Sequence, residues 1–105
     1  MSFTLTIETA AEVARQAQAE GRTAIIAAID AAVEAQAKSL GYNSAAHLAG
    51  YVTSTVEAWA AEAAVFIAWR DAMWTTALAL QDAAAAEGVV PELDAVTAAL
   101  PDWPG

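Results

Sequence analysis

The fold is decided by one bulky, apolar stretch of sequence, Phe66-Ile67-Ala68-Trp69-Arg70-Asp71-Ala72-Met73-Trp74. It lies within a segment whose apolar residues recur at alternating three- and four-residue steps, the spacing of one helical face. Ser54 and Glu57 form a capping box at its start, so we predict one long helix over residues 54–87. The expected core face carries Val56, Trp59, Ala63, Phe66, Met73, Ala77 and Leu80. A helix this apolar over most of its circumference should lie centrally, with neighbours on two or more sides.

A second amphipathic helix is expected upstream, over residues 22–40. Its apolar face collects Ile25, Ile26, Ile29, Val33, Ala37 and Leu40. Thr9 and Glu12 form a capping box for the Ala- and Gln-rich segment that precedes Gly21. Because a glycine inside a helix costs only about 1 kcal/mol relative to alanine, residues 9–40 form either one helix or two.

Short helices complete the expected bundle. Gly41 and Gly88 stand where helices commonly end in a left-handed residue. Asn43 or Ser44 can cap a short helix, and Pro91 suits the first position of another. We therefore expect a short helix over 44–52, a last helix over 91–99 and an extended tail over 100–105.

Residues 1–8 are expected to form an extended arm. Apolar side chains alternate there with threonines, at Phe3, Leu5 and Ile7. A solitary strand cannot pair with itself, so it would stay loose, lie on the helices or add to a partner's sheet. The prediction for residues 1–105 is a single all-α domain, a bundle of four to five helices around one long central helix. That helix should run antiparallel to helix 22–40.

Alanine dominates the composition and limits the size of the core. Of the 105 residues, 31 are alanine, which favours helix but buries little surface. Large apolar side chains are therefore few, and a domain of this size is marginal unless it is well packed or associated with partners. The composition favours a protein that works in an assembly.

The charge balance excludes several classes of partner. Thirteen acidic residues face four basic ones, for a net charge of -9. Phosphate backbones and anionic membrane surfaces repel such a chain, so neither nucleic acid nor membrane is an expected partner. The first residues lack the basic and apolar regions of a signal peptide, and the longest uncharged stretch, residues 39–56, is too polar to span a bilayer. We expect a water-soluble protein.

No pattern in the sequence indicates catalysis. There is no cysteine, and His47 is the single histidine, so no His/Cys metal-ligand set can form. We expect His47 to be a partly buried structural residue. Serines lack a nucleophile-elbow setting, and no phosphate-binding glycine loop is present. The prediction is a non-enzyme without catalytic residues, metal or cofactor.

Two side chains leave alternatives open. Arg70 fills a slot on an otherwise apolar helical stripe, where an unpaired charge would be costly to bury. It either holds the bundle in register, for instance stacked on Trp74, or projects into a partner interface. Trp103, in the tail, either folds back onto the bundle or anchors a neighbouring molecule.

Five segments together resemble a family of small tailed-bacteriophage proteins from the tail-fibre and tail-assembly neighbourhood. They are Gly41-Tyr42-Asn43-Ser44, Tyr51-Val52-Thr53-Ser54, Glu62-Ala63-Ala64-Val65-Phe66-Ile67-Ala68-Trp69-Arg70-Asp71-Ala72-Met73-Trp74, Val90-Pro91-Glu92 and Leu100-Pro101-Asp102-Trp103-Pro104. The resemblance covers roughly residues 25–104 and departs from the family's usual residues at Asn43 and Ala63. It implies a phage context and a non-catalytic role, with Trp69, Arg70 and Trp74 at matched motif positions.

The leading hypothesis is a structural component of a phage tail or tail-fibre apparatus. It would contact other tail proteins, and further copies of itself, in the virion after assembly in the host cytoplasm. The structural-motif and interface candidates are Trp69, Arg70, Asp71, Trp74, Tyr42, Tyr51, Trp103, Phe3, Leu5 and Ile7. The alternatives are a cytoplasmic tail-assembly chaperone or adaptor, and a small-molecule-binding bundle with a cavity near Trp69 and Trp74.

Overall fold

The protein is all-α, as the sequence predicts. A computed structural model describes residues 3–105, with side chains from Thr9 onward. Within that range the helices are α1 (Phe3–Ser39), α2 (Ala45–Gly50), α3 (Glu57–Ala86) and α4 (Leu93–Ala99), with a 3₁₀ turn at Tyr51–Thr53 between α2 and α3. The described chain contains no strand.

Helices α1 and α3 form the main seam of the bundle and run antiparallel. Tyr42, just past the end of α1, reaches Glu62 near the start of α3. At the opposite end, Gly21 of α1 lies against Val90, just past the end of α3. The other elements pack on this pair: α2 and α4 each contact both helices. Helix α3 therefore has neighbours on several sides, as its sequence predicts.

Eleven apolar residues make up the buried core. They are Ile25, Ile29, Val33, Ala37, Leu48, Ala63, Phe66, Trp69, Met73, Ala77 and Val96. The helical periodicity identified most of them, but three residues expected inside are exposed, namely Ile26, Val56 and Trp59. Val56 precedes α3 and Trp59 lies in its first turn. Ile26 follows the buried Ile25 in α1 and lies at the edge of the face that packs against the bundle.

Helix α1 is one continuous helix, which settles the question left open at Gly21. The arm expected over residues 1–8 is helical from Phe3 instead of strand-like, and the Thr9 capping box falls inside the helix. A lone strand leaves its backbone groups unpaired, whereas extending an alanine-rich helix satisfies them internally. The side chains of Phe3, Leu5 and Ile7 lie outside the described residues.

Both long helices end as the sequence predicts. Gly41 and Gly88 have positive φ, at 98° and 72°. Beyond α1, Tyr42 N–H donates to the Ala37 carbonyl at 3.1 Å, and Gly41 N–H donates to Lys38 at 3.0 Å. This pair of bonds is the Schellman motif, in which a left-handed residue satisfies the last carbonyls. Equivalent bonds close α3 around Gly88.

The starts of the later helices differ from the prediction. The capping box of Ser54 is wrong: its hydroxyl accepts the Val56 N–H at 3.0 Å, and α3 begins at Glu57. Ser54 has extended backbone angles that end the 3₁₀ turn, so it stands too early to cap the helix. Helix α4 begins two residues later than expected, because Pro91 precedes the extended Glu92 instead of occupying the first helical position.

The molecule is elongated because α1 outruns the rest of the bundle. Its extents are 68 × 22 × 20 Å and its radius of gyration is 18.6 Å, against roughly 13 Å for a compact chain of this length. Gln18 and Arg22 line a small crevice with residues at the end of α3, so the helix before them projects past that end. All residues 9–20 are exposed. We call residues 9–20 the helical arm.

The Gly21→Ala substitution should show why a glycine occupies this position inside α1. In a helix interior, alanine is more favourable than glycine by about 1 kcal/mol, but a Cβ on Gly21 would run into the Val90 side chain. We expect the gain to be absent in the wild-type background and to appear in a Val90→Ala background, a coupling of about 1 kcal/mol by double-mutant cycle. Urea denaturation followed by circular dichroism measures it.

Gly50 provides a matched control for this cycle. It is helical, and nothing lies near the position of an added Cβ. Gly50→Ala should change the free energy of unfolding equally in both backgrounds. Equal effects of Gly21→Ala in both backgrounds would show that the Val90 contact does not constrain residue 21.

Candidate functional site

Trp69, in the middle of α3, fastens the C-terminal tail to the bundle. Its ring is buried, and its indole Nε1 donates to the Pro101 carbonyl oxygen at 3.0 Å. A buried tryptophan needs a partner for its N–H, and here the tail supplies it. Two segments of the resemblance that lie about thirty residues apart in sequence thus meet in one contact.

Trp103 folds back onto the bundle. Its ring lies edge-on to Trp69 at 90°, with centroids 5.4 Å apart, and 6.3 Å from the ring of Phe66. Edge-to-face pairs at this separation are favourable beyond the area they bury. The structure thus shows the first of the two alternatives for Trp103, packing on its own bundle.

Arg70 lies on the apolar stripe of α3 but is only partly buried, and it pairs with the adjacent Asp71. The guanidinium Nε and Nη2 donate to Asp71 Oδ1 at 3.2 and 3.1 Å. The two side chains are 33% and 61% exposed. No cation–π contact with the half-buried Trp74 occurs among residues 9–105. Along the core face of α3, Arg70 lies between the buried Phe66 and Met73, and its side chain reaches solvent.

A cluster of four rings forms at the N-terminal end of α3. We call it the aromatic pocket, and it consists of Tyr42, His47, Tyr51 and Trp59. The ring of Tyr51 lies 5.5 Å from Tyr42 and 5.6 Å from Trp59, the latter at 84°, and it stacks on His47 at 5.4 Å and 10°. These rings, with Gly41 and Asn43, enclose an open pocket of about 300 Å³.

Local hydrogen bonds hold the pocket in place. Ser44 caps α2 by accepting the His47 N–H at 3.0 Å, which confirms one of the two capping residues expected there. The Glu34 carboxylate of α1 accepts the Ala45 N–H at 3.2 Å. A carboxylate at a helix N-terminus is favourable, so α1 fixes the position of α2, which contributes His47 to the pocket.

Tyr42 is tied to α3 by a carboxylate. Its hydroxyl donates to Glu62 Oε1 at 2.8 Å. This hydrogen bond, helped by burial and by the negative charge of Glu62, raises the pKa of Tyr42 above its ordinary value. The hydrogen bond and the charge of Glu62 both favour the neutral phenol, because an ionised phenol could no longer donate to the carboxylate and would be repelled by it.

The sequence anticipated part of this pocket. Tyr42 and Tyr51 were interface candidates, and they do meet. The roles of His47 and Trp59 were missed: His47 is exposed instead of partly buried, and Trp59 is 49% exposed instead of in the core. The four-residue step from His47 to Tyr51 on one helical face could have indicated their stacking.

The described residues contain no group of three side chains suited to hold a metal ion. No helix within residues 3–105 combines the length and the apolar character needed to cross a membrane. Comparison with family models, curated proteins and solved structures gives no match. The candidate site is therefore defined by its own geometry: an aromatic pocket at one end of the bundle and a helical arm at the other.

Trp103→Ala should test the fastening of the tail. We expect the free energy of unfolding to fall by about 3 kcal/mol, because the substitution empties the space beside Trp69 and Phe66. Urea denaturation followed by circular dichroism measures the loss. Trp59→Ala is the matched control and should cost about 1 kcal/mol or less, since half of that ring is already in solvent. Equal losses would mean that the tail packing is not structural.

Arg70→Ala should have a small effect. Exposed ion pairs typically contribute about 0–1 kcal/mol, so we expect the free energy of unfolding to fall by less than about 1 kcal/mol. A cycle with Asp71→Ala isolates the pair. A loss of about 2 kcal/mol or more would instead indicate a desolvated charge.

Proposed function

We propose that this protein is a non-catalytic structural component of a bacteriophage tail or tail-fibre apparatus. It would act through protein–protein contacts with other tail proteins and with further copies of itself. It would reside in the virion tail after assembly and in the host cytoplasm before. The resemblance of residues 25–104 supports the phage context, and the helical arm supports the mode of action.

The helical arm is the observation that carries the proposal. Every residue from 9 to 20 is exposed, so tertiary packing stabilises this part of α1 less than the part that lies against α3. Packing against a partner would add contacts to those that the arm makes with the end of α3 at Gln18. Val13, a large apolar side chain 61% exposed on the arm, offers such a partner an apolar contact.

Charge distribution favours the arm over the body as the surface for self-association. Residues 57–105 contain eight acidic residues and one arginine, so two bodies repel one another. The arm and its base, residues 9–29, contain two acidic residues and two arginines. Copies can therefore approach through their arms without that repulsion.

Mass spectrometry and electron microscopy of purified virions test the assignment directly. We expect the protein in mature tails in several copies. Absence from mature particles would overturn this role. If co-expression then raised the soluble yield of the neighbouring tail protein, the assembly chaperone or adaptor would take its place.

Val13→Glu should weaken self-association through the arm. A charge placed at this exposed apolar position disfavours burial in an interface but leaves the bundle core untouched. We expect light scattering of the full chain to show oligomers that Val13→Glu shifts towards monomer. Val65→Glu, at an exposed valine on α3, is the control and should leave the mass unchanged. A monomeric wild-type chain would contradict self-association.

A further inference from the structure

We propose that the aromatic pocket binds an organic cation, supplied by a lysine or arginine side chain of a partner protein. This deepens the proposed function and rests on it, since it names the chemistry by which a partner is recognised. The carrying observation is the convergence of four rings on one open pocket that the bundle does not fill.

The fold does not account for the exposure of Trp59. A half-exposed tryptophan beside an unfilled space gives up the stabilisation that burial would provide. The pocket has about 300 Å³, at the lower end of the range for ligand pockets. It therefore has room for one side-chain head group.

Three polar atoms of the rings are already engaged. The hydroxyl of Tyr42 donates to Glu62, and the hydroxyl of Tyr51 lies 3.3 Å from Nε2 of His47. What the pocket offers a ligand is chiefly aromatic surface, set at steep angles, as in the 84° between Tyr51 and Trp59. Such surface attracts cations through the ring quadrupoles, with tryptophan the strongest.

The electrostatic setting favours positive charge. The Glu62 carboxylate lies 2.8 Å from the hydroxyl of Tyr42, one of the pocket residues. No lysine or arginine is among the residues that line the pocket. Glu34, at the start of α2, and Glu57 and Glu62, in the first turns of α3, outnumber Lys38 in the last turn of α1, so the local potential draws cations towards this end of the molecule. An anionic ligand would meet repulsion instead.

Titration of the full-length chain with blocked amino-acid amides tests the proposal. N-acetylated amides of arginine and lysine are the probes, and the amide of norleucine is the neutral control with a similar stem. Two-dimensional NMR follows the Trp59 indole signal. We expect saturable millimolar binding of the two cations, and about ten-fold weaker binding of norleucine. Equal binding of norleucine, or no saturable binding of either cation, would overturn the proposal.

Substitutions at Trp59 and Glu62 locate the binding site and distinguish it from non-specific binding. Trp59→Ala should weaken cation binding about ten-fold, read from the Tyr51 ring signals, and Trp59→Phe should retain part of it. Glu62→Gln keeps an acceptor for Tyr42 but removes the charge, so it should weaken the cations and leave norleucine unchanged. Leu78→Ala, at an exposed position elsewhere on α3, is the control. Unchanged cation binding in both Trp59→Ala and Glu62→Gln would overturn the site.

Choline distinguishes the source of the cation. A choline affinity above that of both amino-acid amides would overturn the partner side chain in favour of a free quaternary ammonium ligand. These titrations need no phage particle, so their failure is separable from that of the proposed function. Cation binding by a protein absent from virions would leave the pocket assigned and remove the tail role.

Discussion

The packing of Trp69 organises the C-terminal half of the molecule. Its ring lies at the middle of α3, beneath the tail, and its indole N–H satisfies the carbonyl of Pro101. Through Trp103 the same contact brings the last residues against Phe66. The chain between α3 and the tail must then return along the bundle, which places Val96 of α4 in the core. Helix α3, helix α4 and the tail thus depend on one buried ring in a protein with few large side chains.

The two ends of the bundle are built on different principles. At the end where α1 stops, hydrogen bonds to Ser44 and Glu34 fix the short helix α2, which contributes His47 to the aromatic pocket. At the other end, α1 continues past α3 as the exposed helical arm. One end offers an aromatic pocket and the other an exposed helical surface. A protein that joins two different neighbours in an assembly would use both.

Residue patterns predicted the helices well and their surroundings less well. Helical periodicity placed Ile25, Ile29 and Phe66 in the core, and Gly41 and Gly88 at the helix ends, because spacing and backbone freedom are local properties. Exposure depends on where the neighbouring helix stops, which no local pattern contains. The strand-like alternation at residues 3–7 does not produce a strand, because alternation describes a strand only where another strand can pair with it.

The pocket and Arg70 illustrate the same limit at the level of side chains. Tyr42 and Tyr51 could be nominated from the resemblance, but the approach of Trp59 needed the path of the chain through α2 and the 3₁₀ turn. Arg70 lies on an apolar stripe by sequence, yet its side chain is partly exposed and pairs with its neighbour Asp71.

Because α1 is unbroken through Gly21, its exposed and packed portions belong to one cooperative unit. A molecule that clasps the N-terminal portion would stiffen the whole rod and raise the melting temperature of the bundle it never touches.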